Sequence, residues 1–230
     1  MDLSPTRPWY RQRWPTLVAG FAAAYIAGVL FAVIVRAQGD WSQGLAWERD
    51  LLRMVHPPLP GWLDTLMLIF PWFGTNLSLM PVIGVIVLWL WIRKRRPHLA
   101  LWLLIVQLGS WALNPALKAT FDRVRPDLFP KRGWFGWTSF PSGHAIASIS
   151  VLFTLAIMLH KERGWKWPYL VIAIIAMGSA YSRVYLAVHW PTDVVGGLIV
   201  GAVWLWAGYM AFRETSTVTP TGLPRSRRVE

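Results

Sequence analysis

Residues 168–193 read PYLVIAIIAMGSAYSRVYLAVHWPTD, and the fold follows from how that stretch is built. Its first part, from Leu170 to Ala180, is almost wholly apolar. Arg183 then stands inside the run, and His189 and Asp193 close it with Pro191 between them. About 20 apolar residues suffice for a helix to cross a hydrocarbon core of about 30 Å. A charge inside such a segment is costly, and it marks a functional position far more often than a packing one. The stretch is therefore read as a membrane helix whose end carries chemistry.

The rest of the chain extends that reading. Of its 230 residues 55% are hydrophobic and only 15% charged, and 17 are Trp. Soluble domains of this size carry about 25% charged residues, so the chain is an integral membrane protein with one all-α, polytopic helical bundle. Six spans are predicted, at 16–36, 74–92, 98–118, 142–160, 168–188 and 192–212. Residues 1–15 form a basic cytoplasmic arm, 16–213 the membrane domain, and 214–230 a disordered cytoplasmic tail rich in Thr, Pro and Arg. No small-residue cleavage site follows the first span, which is read as an uncleaved anchor. Residues 41–55 alternate Trp, Leu, Glu, Arg and Asp at helical spacing, as in an amphipathic helix lying on the outer surface. Residues 60–73 are apolar but short, with Pro71, Gly74 and Asn76 as interruptions. They fit a half-helix or the first part of a bent second span.

The net charge is +12, and its distribution fits a membrane better than a nucleic acid. Cytoplasmic loops carry the excess of Lys and Arg. One face of the predicted bundle receives fourteen of the 23 Lys and Arg: Arg7, Arg11, Arg13, the run Arg93–Arg96, Lys161, Arg163, Lys166, Arg213, Arg225, Arg227 and Arg228. Both termini are thus predicted to be cytoplasmic. Trp41, Trp47, Trp62, Trp72, Trp89, Trp91, Trp165, Trp167 and Trp190 stand near span ends, where interface belts account for them. Trp134 and Trp137, in the external loop 119–140, have a better claim to touch a substrate. There are no cysteines, which excludes disulfides and thiolate metal sites.

Three short motifs carry the chemistry. Lys118, Arg125 and Arg183 are cations, and two of them have planar forks that bind phosphate bidentately. Pro141-Ser142-Gly143-His144 precedes an apolar run, and Pro141 is expected at the first position of a helix. The free amides of a helix start bind anions, with Gly143 allowing close approach and the Ser142 hydroxyl adding a donor. Pro191 is expected to open the last helix. That puts Asp193 in its first turn, able to reach back to one nitrogen of His189 and orient it, as the Asp of a Ser-His-Asp triad does. The other nitrogen is then free to attack phosphorus. His144 remains for proton transfer. His56, His98 and His160 stand apart from carboxylates at ligand spacing, and no acidic cluster exists to hold Mg²⁺ or Ca²⁺. Catalysis is expected to need neither metal nor cofactor. Asp122 and Arg123 are adjacent and able to pair with each other.

Lys118, Arg125-Pro126, Pro141-Ser142-Gly143-His144, Ser182-Arg183, His189 and Asp193, eleven positions in all, resemble in order and spacing the type 2 phosphatidic acid phosphatase superfamily, which includes lipid phosphate phosphatases and vanadium haloperoxidases. The resemblance implies His189 as nucleophile and His144 as acid and base, a division the residues alone leave open. It also implies a lipid phosphatase at the outer face of a bacterial inner membrane. Its partners would be the bilayer and a lipid phosphate, with no nucleic acid and no obligate protein. Undecaprenyl diphosphate, phosphatidylglycerol phosphate and phosphatidic acid all fit as substrates, and lipid A phosphatases share the motifs. Two other readings compete. A vanadate-dependent haloperoxidase would be soluble, which six spans oppose. A flippase that only binds lipid phosphate would need the cations but not two histidines with an orienting carboxylate.

The charge count makes topology testable. Lys131→Cys should react with an impermeant thiol reagent in intact spheroplasts, and Lys94→Cys should not. The reverse labelling pattern would place the motifs on the cytoplasmic face.

Overall fold

Nine α-helices follow one another among the described residues: α1 (Trp14–Arg36), α2 (Ala46–Val55), α3 (Gly61–Ile69), α4 (Asn76–Leu88), α5 (Pro97–Phe121), α6 (Gly143–Ala147), α7 (Phe153–Arg163), α8 (Trp167–Tyr185) and α9 (Pro191–Phe212). The computed structural model describes residues 13–56, 58–130, 132, 136 and 138–213. The expectations for the arm up to residue 12, the tail 214–230, Lys131, Trp134 and Trp137 lie outside them. A π-turn, Trp89–Arg93, prolongs α4, and another, Ser148–Leu152, joins α6 to α7 into one continuous rod. No strand forms among the described residues, only one isolated bridge between Val124 and Thr138.

Five segments are long and apolar enough to cross a membrane: Trp14–Arg36, Asn76–Arg93, Pro97–Phe121, Gly143–Arg163 and Pro191–Phe212. They match five of the six predicted spans to within a few residues. The sixth, α8, has 19 residues but is not in that set. Ser179, Ser182, Arg183 and Tyr185 in its second half lower its hydropathy, and all four are buried in the protein rather than turned to lipid.

Helix α5 runs through the core, where Trp102, Leu103, Val106, Leu113 and Leu117 are fully buried against Ile146, Val151, Val200 and Trp204. Outward faces show the inverse pattern, with Val18, Leu30, Leu77, Val85, Leu170 and Ile174 all more than half exposed. Lipid offers apolar side chains no reason to leave it, so helices meet there through close packing of small residues. Gly197 and Gly201 serve this on α9. A Cβ at these positions would stand 2.5 Å from the Ser142 carbonyl oxygen and 2.7 Å from that of Ile146. The start of α9 is thereby pressed against α6.

Shorter elements cover one end of the bundle. Helix α3 stops at Ile69, a 3₁₀ turn spans Phe70–Phe73, and Thr75 caps a fresh helix at Asn76. Of the two readings of 60–73, the half-helix is therefore the one formed. Met67 of α3 packs with Tyr185, Leu186 and Val188 at the end of α8. Helix α2 is amphipathic as expected, but its inner face carries Glu48 and Leu52, both fully buried. Two tryptophans also depart from the interface reading. Trp41 and Trp190 are buried at 8% and 2% exposure, whereas Trp47, Trp62, Trp72, Trp89, Trp91, Trp165 and Trp167 are exposed as belts require.

Candidate active site

Each motif owes its geometry to the end of a helix. Lys118 lies in the last turn of α5, which closes when the Asp122 amide donates to the Lys118 carbonyl at 3.0 Å. Asp122 itself is left-handed, with φ of 39°, a conformation that Asp tolerates better than most residues. The chain then extends, so that Arg123 and Arg125 point inward while Val124 points out. Helix α8 ends in a similar closure around Ala187, whose φ is 49°. Here the Arg183 carbonyl accepts from the amides of Val188 (3.1 Å) and His189 (3.3 Å), which ties His189 back to the turn bearing Arg183. Helix α9 begins as expected. Pro191 occupies its first position, and the Asp193 carboxylate reaches back to accept from the Trp190 amide at 2.8 Å.

The second motif differs from expectation. Helix α6 starts at Gly143 with Ser142 as its N-cap, and Pro141 precedes it in a cis peptide rather than occupying the first helical position. The Ser142 amide donates to the Asp193 carbonyl at 3.0 Å, so the second and third motifs are joined through backbone. That bond holds Ser142 outside the helix and moves the helix start two residues past Pro141.

Six of the eight expected site residues, Lys118, Arg125, Gly143, His144, Arg183 and His189, line one cavity of about 440 Å³. Asp193 stands behind His189, with its Oδ2 3.5 Å from Nδ1. Ser142 is fully buried and does not line the cavity; its hydroxyl has no hydrogen-bond partner among the described residues. Lys118 donates to the carbonyls of Thr138 (2.7 Å) and Ser139 (3.2 Å). Arg125 donates to the carbonyls of Gly136 and Val188, and its Nη1 lies 3.1 Å from Nε2 of His189. Burial lowers the Arg125 pKa to about 10, which leaves it charged at neutral pH. Burial, and then the positive charges of Arg125, Lys118 and Arg183, hold the His189 imidazole well below the usual histidine range. His189 is thus neutral at neutral pH, with a lone pair to offer.

Several site residues were not singled out from the sequence. Asn114 lines the cavity one helical turn before Lys118, and a Cβ on Gly143 would meet its Nδ2 at 2.7 Å. Its spacing of four from Lys118 was the available signal. Ser139 donates its hydroxyl to Asp193 Oδ2 and lies 3.4 Å from His189 Nδ1. Arg123 does not pair with Asp122. It donates at 2.7 Å to both Asp193 Oδ1 and Glu48 Oε2, and no local pattern announced that arrangement.

Fold and site together define a helical membrane protein with three cations and two histidines lining one cavity at a bundle end. Residues 99–216, just over half of the chain, match the PAP2 superfamily. The chain belongs to that superfamily and is a phosphatase of its lipid phosphatase group. It is 34% identical to phosphatidylglycerophosphatase B of Bacillus subtilis over 145 residues, which cover 61% of this chain and 70% of that one. It is 26% identical to an undecaprenyl-diphosphatase of Sulfolobus acidocaldarius over 197 residues, covering 82% and 88%. The crystal structure of a transmembrane PAP2 type phosphatidylglycerolphosphate phosphatase from Bacillus subtilis superimposes with a TM-score of 0.72 at 27% identity, covering 85% of this chain and 96% of that one.

Arg183 offers a direct check on how the cavity holds phosphate. Lysine keeps the charge but cannot form two parallel bonds, so Arg183→Lys should lower kcat/KM about 10–100-fold, the worth of one hydrogen bond to a charged group. Wild-type kcat/KM in that variant would make Arg183 structural.

Proposed function

We propose that the chain hydrolyses a membrane lipid phosphate or diphosphate through a phosphohistidine on His189, at the extracytoplasmic face of a bacterial inner membrane. The observation that carries this reading is the convergence of Lys118, Arg125, Arg183, His144 and His189 on one cavity, with Asp193 behind the second histidine. Undecaprenyl diphosphate, phosphatidylglycerol phosphate and phosphatidic acid are the substrate classes considered. The names of the two relatives support the first two. The lipid tail would remain in the bilayer, and both chain termini would be cytoplasmic.

The steps follow from the geometry. The three cations bind the equatorial phosphate oxygens and stabilise charge that grows in the transition state. A phosphate entering beside His189 takes over the donor that Arg125 directs at Nε2, which frees the lone pair. Nε2 attacks phosphorus and the bond from phosphorus to the leaving oxygen breaks. His144 gives that oxygen its proton. Nδ1–H faces Asp193 and Ser139, so the positive imidazole formed has a carboxylate beside it. His144, now neutral, takes a proton from water. The resulting hydroxide attacks phosphorus, the P–N bond breaks, and inorganic phosphate leaves with both histidines restored. No step calls on a metal, and among the described residues no three His, Asp or Glu side chains are grouped to hold one.

Two experiments bear on the mechanism. Phosphate release from the three lipid classes by detergent-solubilised protein should persist in EDTA and be inhibited by vanadate, which adopts the five-coordinate geometry of the transition state. Activity lost in EDTA and restored by Mg²⁺ would defeat the mechanism. The histidines separate by leaving group. His189→Ala should fail on every substrate, whereas His144→Ala should still form acid-labile phosphoenzyme from nitrophenyl phosphate, whose phenolate needs little protonation. Since acid catalysis contributes about 10²–10⁴-fold, the two variants should differ by that order on the activated ester and converge on a lipid. Phosphoenzyme in His189→Ala but not in His144→Ala would reverse the roles.

A further inference from the structure

Behind His189 lies a chain of charge that extends from Asp193 beyond the three motifs. Arg123, Glu48 and Asp193 have side chains wholly shielded from solvent. The Arg123 guanidinium donates Nη1–H to Asp193 Oδ1 and to Thr192 Oγ1, both at 2.7 Å, Nη2–H to Glu48 Oε2 at 2.7 Å, and Nε–H to the Trp41 carbonyl at 3.0 Å. Trp41 and Trp190 cover it, with ring centres 4.2 and 5.5 Å away. Glu48 is equally committed. Its Oε1 accepts from the Thr192 amide (3.1 Å) and hydroxyl (2.6 Å), and its Oε2 accepts from the Leu45 amide (2.9 Å).

The arrangement divides the two oxygens of Asp193. Arg123 holds Oδ1, which leaves Oδ2 to the Trp190 amide, the Ser139 hydroxyl and Nδ1 of His189. Arg123 alone would leave Asp193 as half of a neutral pair, of little use to a histidine that becomes positive on phosphorylation. Glu48 cancels the charge of Arg123 and returns a net charge of minus one to the cluster facing His189. Lys118 and Arg125 also act on Asp193, as cations on the phosphate side, whereas Glu48 is the carboxylate bonded to Arg123 behind it.

We propose that Glu48 and Arg123 are positioning residues of the active site: Arg123 orients the Asp193 carboxylate toward His189, and Glu48 keeps that carboxylate electrostatically negative. Helix α2 then serves catalysis, because it delivers Glu48. The proposal rests on His189 as the group that becomes positive. Neither residue touches the phosphate cavity, so the effect belongs in kcat.

A double-mutant cycle tests it. Glu48→Gln, nearly isosteric, should lower kcat about 10–100-fold, as loss of a carboxylate acting through a histidine partner does. KM should move by no more than about threefold, because uniform binding is untouched. In an Asp193→Asn background the same substitution should change kcat by less than about twofold, since coupled residues are not additive. Glu48→Asp, which keeps the charge but shortens the reach, should retain more activity than Glu48→Gln. A wild-type kcat in Glu48→Gln overturns the proposal, and so does a loss that multiplies in full on Asp193→Asn. Should Glu48→Gln not assemble, Glu48→Asp in both backgrounds tests the positioning: a kcat loss caused by its shorter reach should vanish on Asp193→Asn, and one that multiplies in full there overturns the proposal. Rapid-quench trapping on the wild-type enzyme tests the underlying mechanism separately. Absence of phosphoenzyme with an intact cycle would defeat the phosphohistidine but not the coupling of Glu48 to Asp193.

Discussion

Asp193 is a carboxylate with no access to water, and one end of the bundle is organised around that constraint. A buried charge is tolerated only when its lone pairs are met from all sides. Partners therefore come from segments far apart in the chain: Arg123 from just past the end of α5, Ser139 from the loop before the second motif, Trp190 from the start of α9. Glu48 closes the circle from α2 by pairing with Arg123 and Thr192. Removing one member of a buried ion pair costs about 3–5 kcal/mol. The cluster thus locks four surface elements into one arrangement, and His189 inherits its orientation from it.

The cations of the cavity are treated differently. Lys118 and Arg125 donate to the backbone carbonyls of Gly136, Thr138, Ser139 and Val188. A carbonyl relieves part of the desolvation cost of a cation without cancelling its charge. The same logic explains why Arg123, two residues from Arg125, is not part of the cradle. It is already claimed by two carboxylates.

Much of the site was legible in the sequence because local chemistry wrote it there. Arg183 stood out as a charge in an apolar run. Pro191 marked a helix start, and the i+4 offset from His189 placed Asp193 within reach. These inferences need only the geometry of one helix end. The Pro141 inference failed for an instructive reason: the Ser142 amide is taken by the Asp193 carbonyl, a contact no local pattern encodes. Asp122 and Arg123 are neighbours in sequence, yet the left-handed turn at Asp122 sends them to opposite sides.

Glu48 and Trp41 mark where local reading ended. Periodicity predicted an amphipathic helix over 41–55, of which Ala46–Val55 form one, and gave these residues the bland reading of a surface element beside the membrane. Whether a polar side chain on such a helix faces water or the interior depends on what the opposite surface offers. Here that surface offers Arg123 and Thr192, with Trp41 and Trp190 covering the guanidinium. By itself the sequence determined the membrane bundle, five of its spans and the cations and histidines that meet in one cavity, because apolar run length and helix-end chemistry are local properties. Only the tertiary structure decided which carboxylates meet Arg123 and how the oxygens of Asp193 are shared. Those choices arise from pairing charges in the absence of water, and the partners come together only when the chain has folded.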